Sequence, residues 1–168
     1  MSKYIFRLSL FFLSFGIHAQ KDLPISKNIL YVEGLGIGGF GSINYERILF
    51  DIPQHKISLS GRLGVGTYNF LDYNHHFNPD LIFPIGIYAF YGKTHHAELG
   101  IGYILSTIVQ ASRSLQPIRK ANTHLSFSIG YRYQKNSKGL FIGLRYSPII
   151  EFYKHFKHWG AAYVGYCF

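Results

Sequence analysis

The sequence closes on WGAAYVGYCF, Trp159 to Phe168, and this stretch decides how the rest is read. In steps of two, Phe168, Tyr166, Val164, Ala162 and Gly160 share one face. Cys167, Gly165, Tyr163, Ala161 and Trp159 share the other. A period of two is the signature of a strand, and no helical spacing competes with it. A terminal strand leaves an open ladder unless both its edges are paired. Pairing it with the first strand of the chain would close the sheet, so the expected architecture is a small β-barrel.

Composition agrees. Of 168 residues, 14 are Tyr, 15 are Phe and 18 are Gly, a vocabulary of strands and turns that a helical bundle would not tolerate. The length suits one domain. The formal charge of +9 fits solvated strand ends and loops, or attraction to anionic lipid head groups. No basic run exceeds two residues and the chain reads as exported, so nucleic acid is not an expected partner. Cys167 is the single cysteine, which excludes an internal disulfide.

Residues 1–19 read as a secretory signal peptide. Lys3 and Arg7 supply a positive start, and Leu8 to Phe15 an apolar core too short to span a membrane. Ala19 is the expected last residue removed, which leaves a barrel domain over 20–168, still basic at about +7. No later stretch reaches ~18 uninterrupted apolar residues, so no transmembrane helix is expected.

Upstream of the quoted stretch, alternation places strands at about Ile29–Gly36, Phe40–Leu49, Ile57–Thr67, Leu81–Tyr91, His96–Ile108, His124–Gln134 and Leu140–Ser147. The sixth is the cleanest: Leu125, Phe127, Ile129, Tyr131 and Tyr133 oppose His124, Ser126, Ser128, Gly130, Arg132 and Gln134. Pro84 inside the fourth counts against a central strand. With Trp159–Phe168 the total is eight, each close to the ~9–11 residues needed to cross a bilayer at a tilt. Connections after the second, fourth and sixth strands are short. Three of the other four are longer, and Gln110–Thr123 is expected to be the longest loop. Alternating short and long connections is the pattern of outer-membrane barrels.

A soluble lipocalin-like barrel would alternate in the same way with its faces reversed. Two features favour polar-inside. The polar faces carry Glu33, Glu46 and Glu98 against Arg62, Arg132 and Arg145. Inside a narrow barrel such charges must find partners, so the six are expected to form a lumen ion-pair network. Tyr45, Tyr91, Tyr131, Tyr133 and Tyr166 gather toward strand ends, where an aromatic belt would meet the membrane surface. The expected fold is therefore an all-β, eight-stranded, antiparallel up-and-down transmembrane barrel behind a signal peptide.

The signal peptide, the repeated short strands, Ser42–Arg47 (SINYER), Gly130–Gln134 (GYRYQ), Gly139–Pro148 (GLFIGLRYSP) and the terminal GYCF together resemble the small outer-membrane β-barrel proteins of gram-negative bacteria. The resemblance covers nearly the whole mature chain, and its motifs are architectural. It implies location in the outer membrane and folding by the barrel assembly machinery, with Tyr166 and Phe168 as the assembly signal.

For function, the leading expectation is a monomeric, non-enzymatic barrel, structural or surface-binding through basic outer loops. Arg113, Arg119, Lys120, Lys154 and Lys157 are the candidates for lipopolysaccharide phosphates. The alternatives are a lipid A-modifying enzyme, a soluble ligand-holding barrel, and a pore. His124-Leu125-Ser126 resembles the His-x-Ser of outer-membrane lipid A deacylases, which also use a Glu. Here both residues face the lumen and no acid follows until Glu151, and a nucleophile without an oriented base is not a triad. A wide, porin-like channel needs more than eight strands. His75-His76, His95-His96 and His155/His158 lack acidic or Cys co-ligands, so neither a metal nor another cofactor is expected.

Overall fold

The computed structural model describes residues 26–112, 116–135, 137–151 and 156–168. The signal-peptide assignment, Arg113, Lys154 and His155 lie outside them. The strands are β1 (Asn28–Gly36), β2 (Gly39–Ile52), β3 (Ile57–Thr67), β4 (Leu81–Gly92), β5 (His95–Ala111), β6 (Pro117–Gln134), β7 (Gly139–Tyr146), β8 (Ile149–Glu151), β9 (Phe156–Lys157) and β10 (Gly160–Cys167). A 3-10 turn, Pro53–His55, joins β2 to β3. Every pairing is antiparallel; β1 to β7 follow one another round the sheet, and β10 lies between β7 and β1. The β10–β1 pairing closes the sheet, running from Ile29 opposite Cys167 to Gly34 opposite Ala162. The β5–β6 pairing completes the ring. Strand β8 continues the line of β7 along β6 after Ser147-Pro148, so the wall is an eight-stranded up-and-down barrel.

The faces divide as the alternation predicts. On β10, Ala161, Tyr163 and Cys167 are buried while Ala162, Val164 and Tyr166 are exposed, as is Phe168 just beyond it. On β7, Leu140, Ile142, Leu144 and Tyr146 point out while Phe141 and Arg145 point in. Leu30, Val32, Ile43, Ile87 and Ile101 extend the same outward apolar surface round the barrel.

Pro84 does lie within β4, and the ladder shows how. The β3–β4 pairs stop at Leu63–Ile85 and resume at Gly66–Ile82, so the residue with no N–H falls opposite a gap. On the other side of the same strand Pro84 pairs with Ile104 in an unbroken β4–β5 ladder. Strand β2 carries one extra residue, Leu49, between the Ile48–Ser60 and Phe50–Leu59 pairs, which is a bulge.

The expected long loop Gln110–Thr123 is corrected. β5 and β6 stay paired as far as Ala111–Pro117, well past the end of the β4 ladder at Leu81–Thr107. Polar residues at 119–123 hid the strand, because a ribbon standing clear of the wall has no apolar face to bury. The end bearing this ribbon is called the loop end below. The opposite end carries the connections at 53–56, 93–94 and 135–138 and is called the turn end.

Candidate functional site

The six charged residues singled out above all project into the lumen, and the structure brings them together. Glu46, Glu98 and Arg132 have 0% exposure, and Glu33, Arg62 and Arg145 no more than 3%. They form one alternating ladder across the barrel. Arg132 donates to both carboxylate oxygens of Glu46, at 2.9 Å each, and from Nε to Glu98 at 3.0 Å. Arg145 bridges Glu98 and Glu33, with Nη1 3.0 Å from Glu33 Oε2. Arg62 holds the far side of Glu33 in a two-pronged contact of 2.7 and 3.0 Å. Three carboxylates and three guanidiniums cancel, and each charge except the two end ones lies between partners of opposite sign. That arrangement answers the large desolvation cost of burying them.

Neutral groups complete the ladder. Ser60 Oγ donates to Glu46 at 2.8 Å, and Tyr163 OH to Glu98 at 2.9 Å. Asn44 Oδ1 accepts from Arg62 Nε and Nη2 at 3.0 and 2.7 Å. The guanidinium planes also lie over aromatic rings: Arg132 is 4.1 Å from the Phe90 centroid, and Arg145 is 4.4 Å from Tyr88 and 4.6 Å from Tyr163. Tyr88 and Phe90 were missed by the sequence reading. The signal was their parity, since both fall out of step with the outward series Phe83, Ile85, Ile87.

Apolar layers close the lumen on both sides of the charges. Toward the turn end lie Ile29, Tyr31, Ile48, Phe141, Tyr163 and Cys167. Toward the loop end Ile37, Ile82, Ile104 and Ile149 pack together, with Tyr68 and Trp159 against them. Ile37 reaches this layer from the β1–β2 turn, which folds inward. Gly39 permits that turn with φ +95°, and a Cβ there would lie 2.6 Å from the Thr67 carbonyl oxygen. Trp159, expected to open the last strand, instead precedes it and fixes the plug by donating from Nε1 to Gly36 O at 2.8 Å. Among the described residues the lumen is filled by these charged and apolar side chains.

The outer wall carries aromatics at both ends. Tyr45, Tyr91, Tyr131, Tyr133 and Tyr166 ring the turn end, where Leu30 pairs with both Tyr45 and Tyr166, and Tyr91 and Tyr131 both pair with Ala97. Phe40, Phe70, Phe77 and Tyr146 stand exposed toward the loop end. Arg119, Lys120 and Lys157 also lie at the loop end, but on strands rather than loops, which corrects their assignment. Arg119 pairs with Val109 and Lys120 with Ile108 in the β5–β6 ribbon, and Lys157 pairs with Ile149 in the small β8–β9 hairpin. Arg119 reaches across to donate to Pro79 O at 3.1 Å and to Asn78 Oδ1 at 2.5 Å.

In the His-x-Ser stretch, Ser126 is fully buried and its hydroxyl donates to the Pro148 carbonyl at 2.8 Å. Its proton is therefore directed at a backbone acceptor, not at a base. The β6–β8 register does set Glu151 across from His124, a proximity the sequence order concealed. His95 and His96 point to opposite faces, His95 toward Tyr131 OH outside and His96 toward the Gln134 carbonyl inside. Asp72 organises the turn at 72–76. Partial desolvation of its carboxyl acts against ionisation, but the N–H groups of His76 and Asn74 outweigh it and hold the pKa below the ordinary 3.8.

No family model matches the chain, and no curated protein matches it. Among solved structures, the chain is similar to the crystal structure of the N-terminal β-barrel domain of OprF from Pseudomonas aeruginosa. The similarity covers 87% of this chain and 100% of that one, at a TM-score of 0.59 and 11% sequence identity. At that identity the likeness is one of fold: a closed eight-stranded barrel of the outer-membrane type.

Proposed function

We propose that this chain is an integral outer-membrane protein of a gram-negative bacterium: a closed barrel that acts through its outer wall and loop end, without catalysis. The observation that carries the reading is the inverted polarity. Charged residues fill the interior while Leu, Ile, Val and Phe cover the whole outer wall, with exposures such as 57% at Ile43 and Ile101 and 71% at Leu140. In water a patch of a few hundred Å² is already unusual on a monomer, and here it encircles the molecule. In a bilayer the same surface is the contact with lipid, and the two aromatic zones fall where head groups begin. Residues 1–19 would direct export, and Tyr166 and Phe168, on the strand that closes the barrel, would be read during assembly. Both termini of the barrel lie at the turn end, so the loop end would face outward, bearing Arg119, Lys120 and Lys157 toward lipopolysaccharide.

The test is electrophoretic mobility of the full chain from outer-membrane fractions, boiled and unboiled. A faster unboiled band in that fraction supports the reading. A soluble periplasmic protein without such a band overturns it.

A further inference from the structure

The strand glycines fall into two groups. Those facing the lumen are explained by what packs on them: a Cβ on Gly100 would lie 2.2 Å from Tyr88, and one on Gly143 2.3 Å from Tyr163. A Cβ on Gly139 would meet nothing within 4 Å and one on Gly160 only the Arg145 carbonyl oxygen at 3.8 Å, but each of these begins a strand, whereas Gly34 and Gly41 lie within theirs. They pair with each other across β1 and β2, and both are exposed on the outer wall. A Cβ on Gly41 would meet nothing within 4 Å, and one on Gly34 only the Ala162 carbonyl oxygen at 4.0 Å. Ala162 and Thr67 extend the row on either side in register. Nothing inside the barrel requires glycine at these two positions. Glycine within a strand weakens it, and often marks where something else approaches closely.

This row is the floor of a groove of about 910 Å³ in the outer wall. That is at the upper end of the ~300–1,000 Å³ usual for small-molecule sites. Val32, Ile43 and Val164 border it toward mid-barrel, and Phe40, Phe70 and Phe77 toward the loop end. Phe70 and Phe77 belong to the segment between β3 and β4, held over the groove by a bridge between Leu71 and Phe77. They are 64% and 77% exposed. Pro79 lines the groove mouth, and its carbonyl accepts from the Arg119 guanidinium. Both oxygens that Arg119 contacts are neutral, and among the described residues no carboxylate forms an ion pair with it. Asp80 also borders the groove, but Oδ1 accepts from the Val109 N–H at 2.8 Å and Oδ2 from the Asn69 amide at 3.4 Å.

An apolar trough with an uncompensated cation at its outer mouth is complementary to a lipid with an anionic head. We infer that the groove holds an acyl chain of lipid A, with a phosphate of the same molecule against Arg119. The choice of lipid A over phospholipid rests on the outer-membrane reading above, in which the loop end meets the outer leaflet.

The test uses the full mature barrel in detergent, with purified hexa-acylated lipid A or phosphatidylglycerol added. Two readouts serve. Native mass spectrometry counts retained lipid. Fluorescence of Trp159, the chain's single Trp, reports on Phe40, with which it stacks at 6.1 Å. One lipid A per barrel should survive, with a saturable change in Trp159 emission. Gly41→Leu, whose Cβ would meet no protein atom within 4 Å and whose side chain occupies the floor, should abolish both, and Gly34→Leu provides the same block independently. Arg119→Ala should weaken lipid A binding about tenfold. Equal retention of phosphatidylglycerol, undiminished binding to both leucine variants, or a second copy of the chain covering the groove would overturn the inference. Each sample is first checked for the fast unboiled band. Its absence in the unmodified protein defeats the membrane reading itself, whereas its presence without lipid A retention defeats the groove alone.

Discussion

Replacing Arg132 with Leu strikes the ladder where it has least redundancy. Among the described residues Arg132 is the one cation touching Glu46, so the variant leaves that carboxylate there with a single hydrogen bond, from Ser60. Glu98 keeps Arg145 and Tyr163. A buried charge stripped of its partner costs about 3–5 kcal/mol. Divided by a urea m-value of about 2 kcal/mol per molar, the loss lowers the unfolding midpoint by about 1.5–2.5 M. Trp159 fluorescence in detergent micelles follows the transition. Arg62→Leu should cost less, because Glu33 retains Arg145 at 3.0 Å. The double change Glu46→Leu/Arg132→Leu removes both ends of the pair and leaves two carboxylates facing two guanidiniums, so it should recover more than half of the loss. An unchanged midpoint in Arg132→Leu, or a double variant no better than the single one, would refute the reasoning.

Three further outcomes are expected. Gly143→Ala should push the Tyr163 ring from its seat and lower the urea midpoint, at a cost of about 1–3 kcal/mol for overpacking, whereas Gly41→Ala, with open space before it, should not lower it. Cys167 is 1% exposed, so a maleimide should label it only after unfolding, and rapid labelling of the folded barrel would contradict the packed turn end. Asp72 holds the 72–76 turn as a carboxylate with a lowered pKa, so its contribution is complete above about pH 3.8 and is lost as pH falls through the lower folded value. Amide exchange at Asn74 and His76 should then rise in acid, and an Asp72→Asn variant should show fast exchange already at neutral pH.

Much of the fold was legible because a barrel wall writes a period of two into every strand. Leu125, Phe127 and Ile129 against Ser126 and Ser128 needed no structure to be assigned faces. The partners within the lumen were legible as a set but not as pairs. Glu46 and Arg132 are 86 residues apart, and only the closed register makes them meet. The β5–β6 ribbon was unreadable for the opposite reason. Residues 117–123 pair with one neighbour and bury nothing, so no alternation marks them. The isoleucine plug was hidden because Ile37, Ile82, Ile104 and Ile149 come from four separate places in the chain. Ile37 in particular sits in a turn, where a sequence reader expects solvent.

The interior is also an argument about where function can reside. An ion crossing this barrel would have to displace the isoleucine layer, then pass six charges that already neutralise one another at 2.5–3.0 Å. It would gain no net attraction there to offset its own dehydration. Every carboxylate of the ladder accepts from a guanidinium. The outside carries its own open features: the exposed Phe70 and Phe77, the open floor at Gly34 and Gly41, and Arg119, with which no carboxylate among the described residues forms an ion pair. On the function proposed above, recognition would fall to the outer wall and the loop end, while the charge ladder ties the strands together across the lumen.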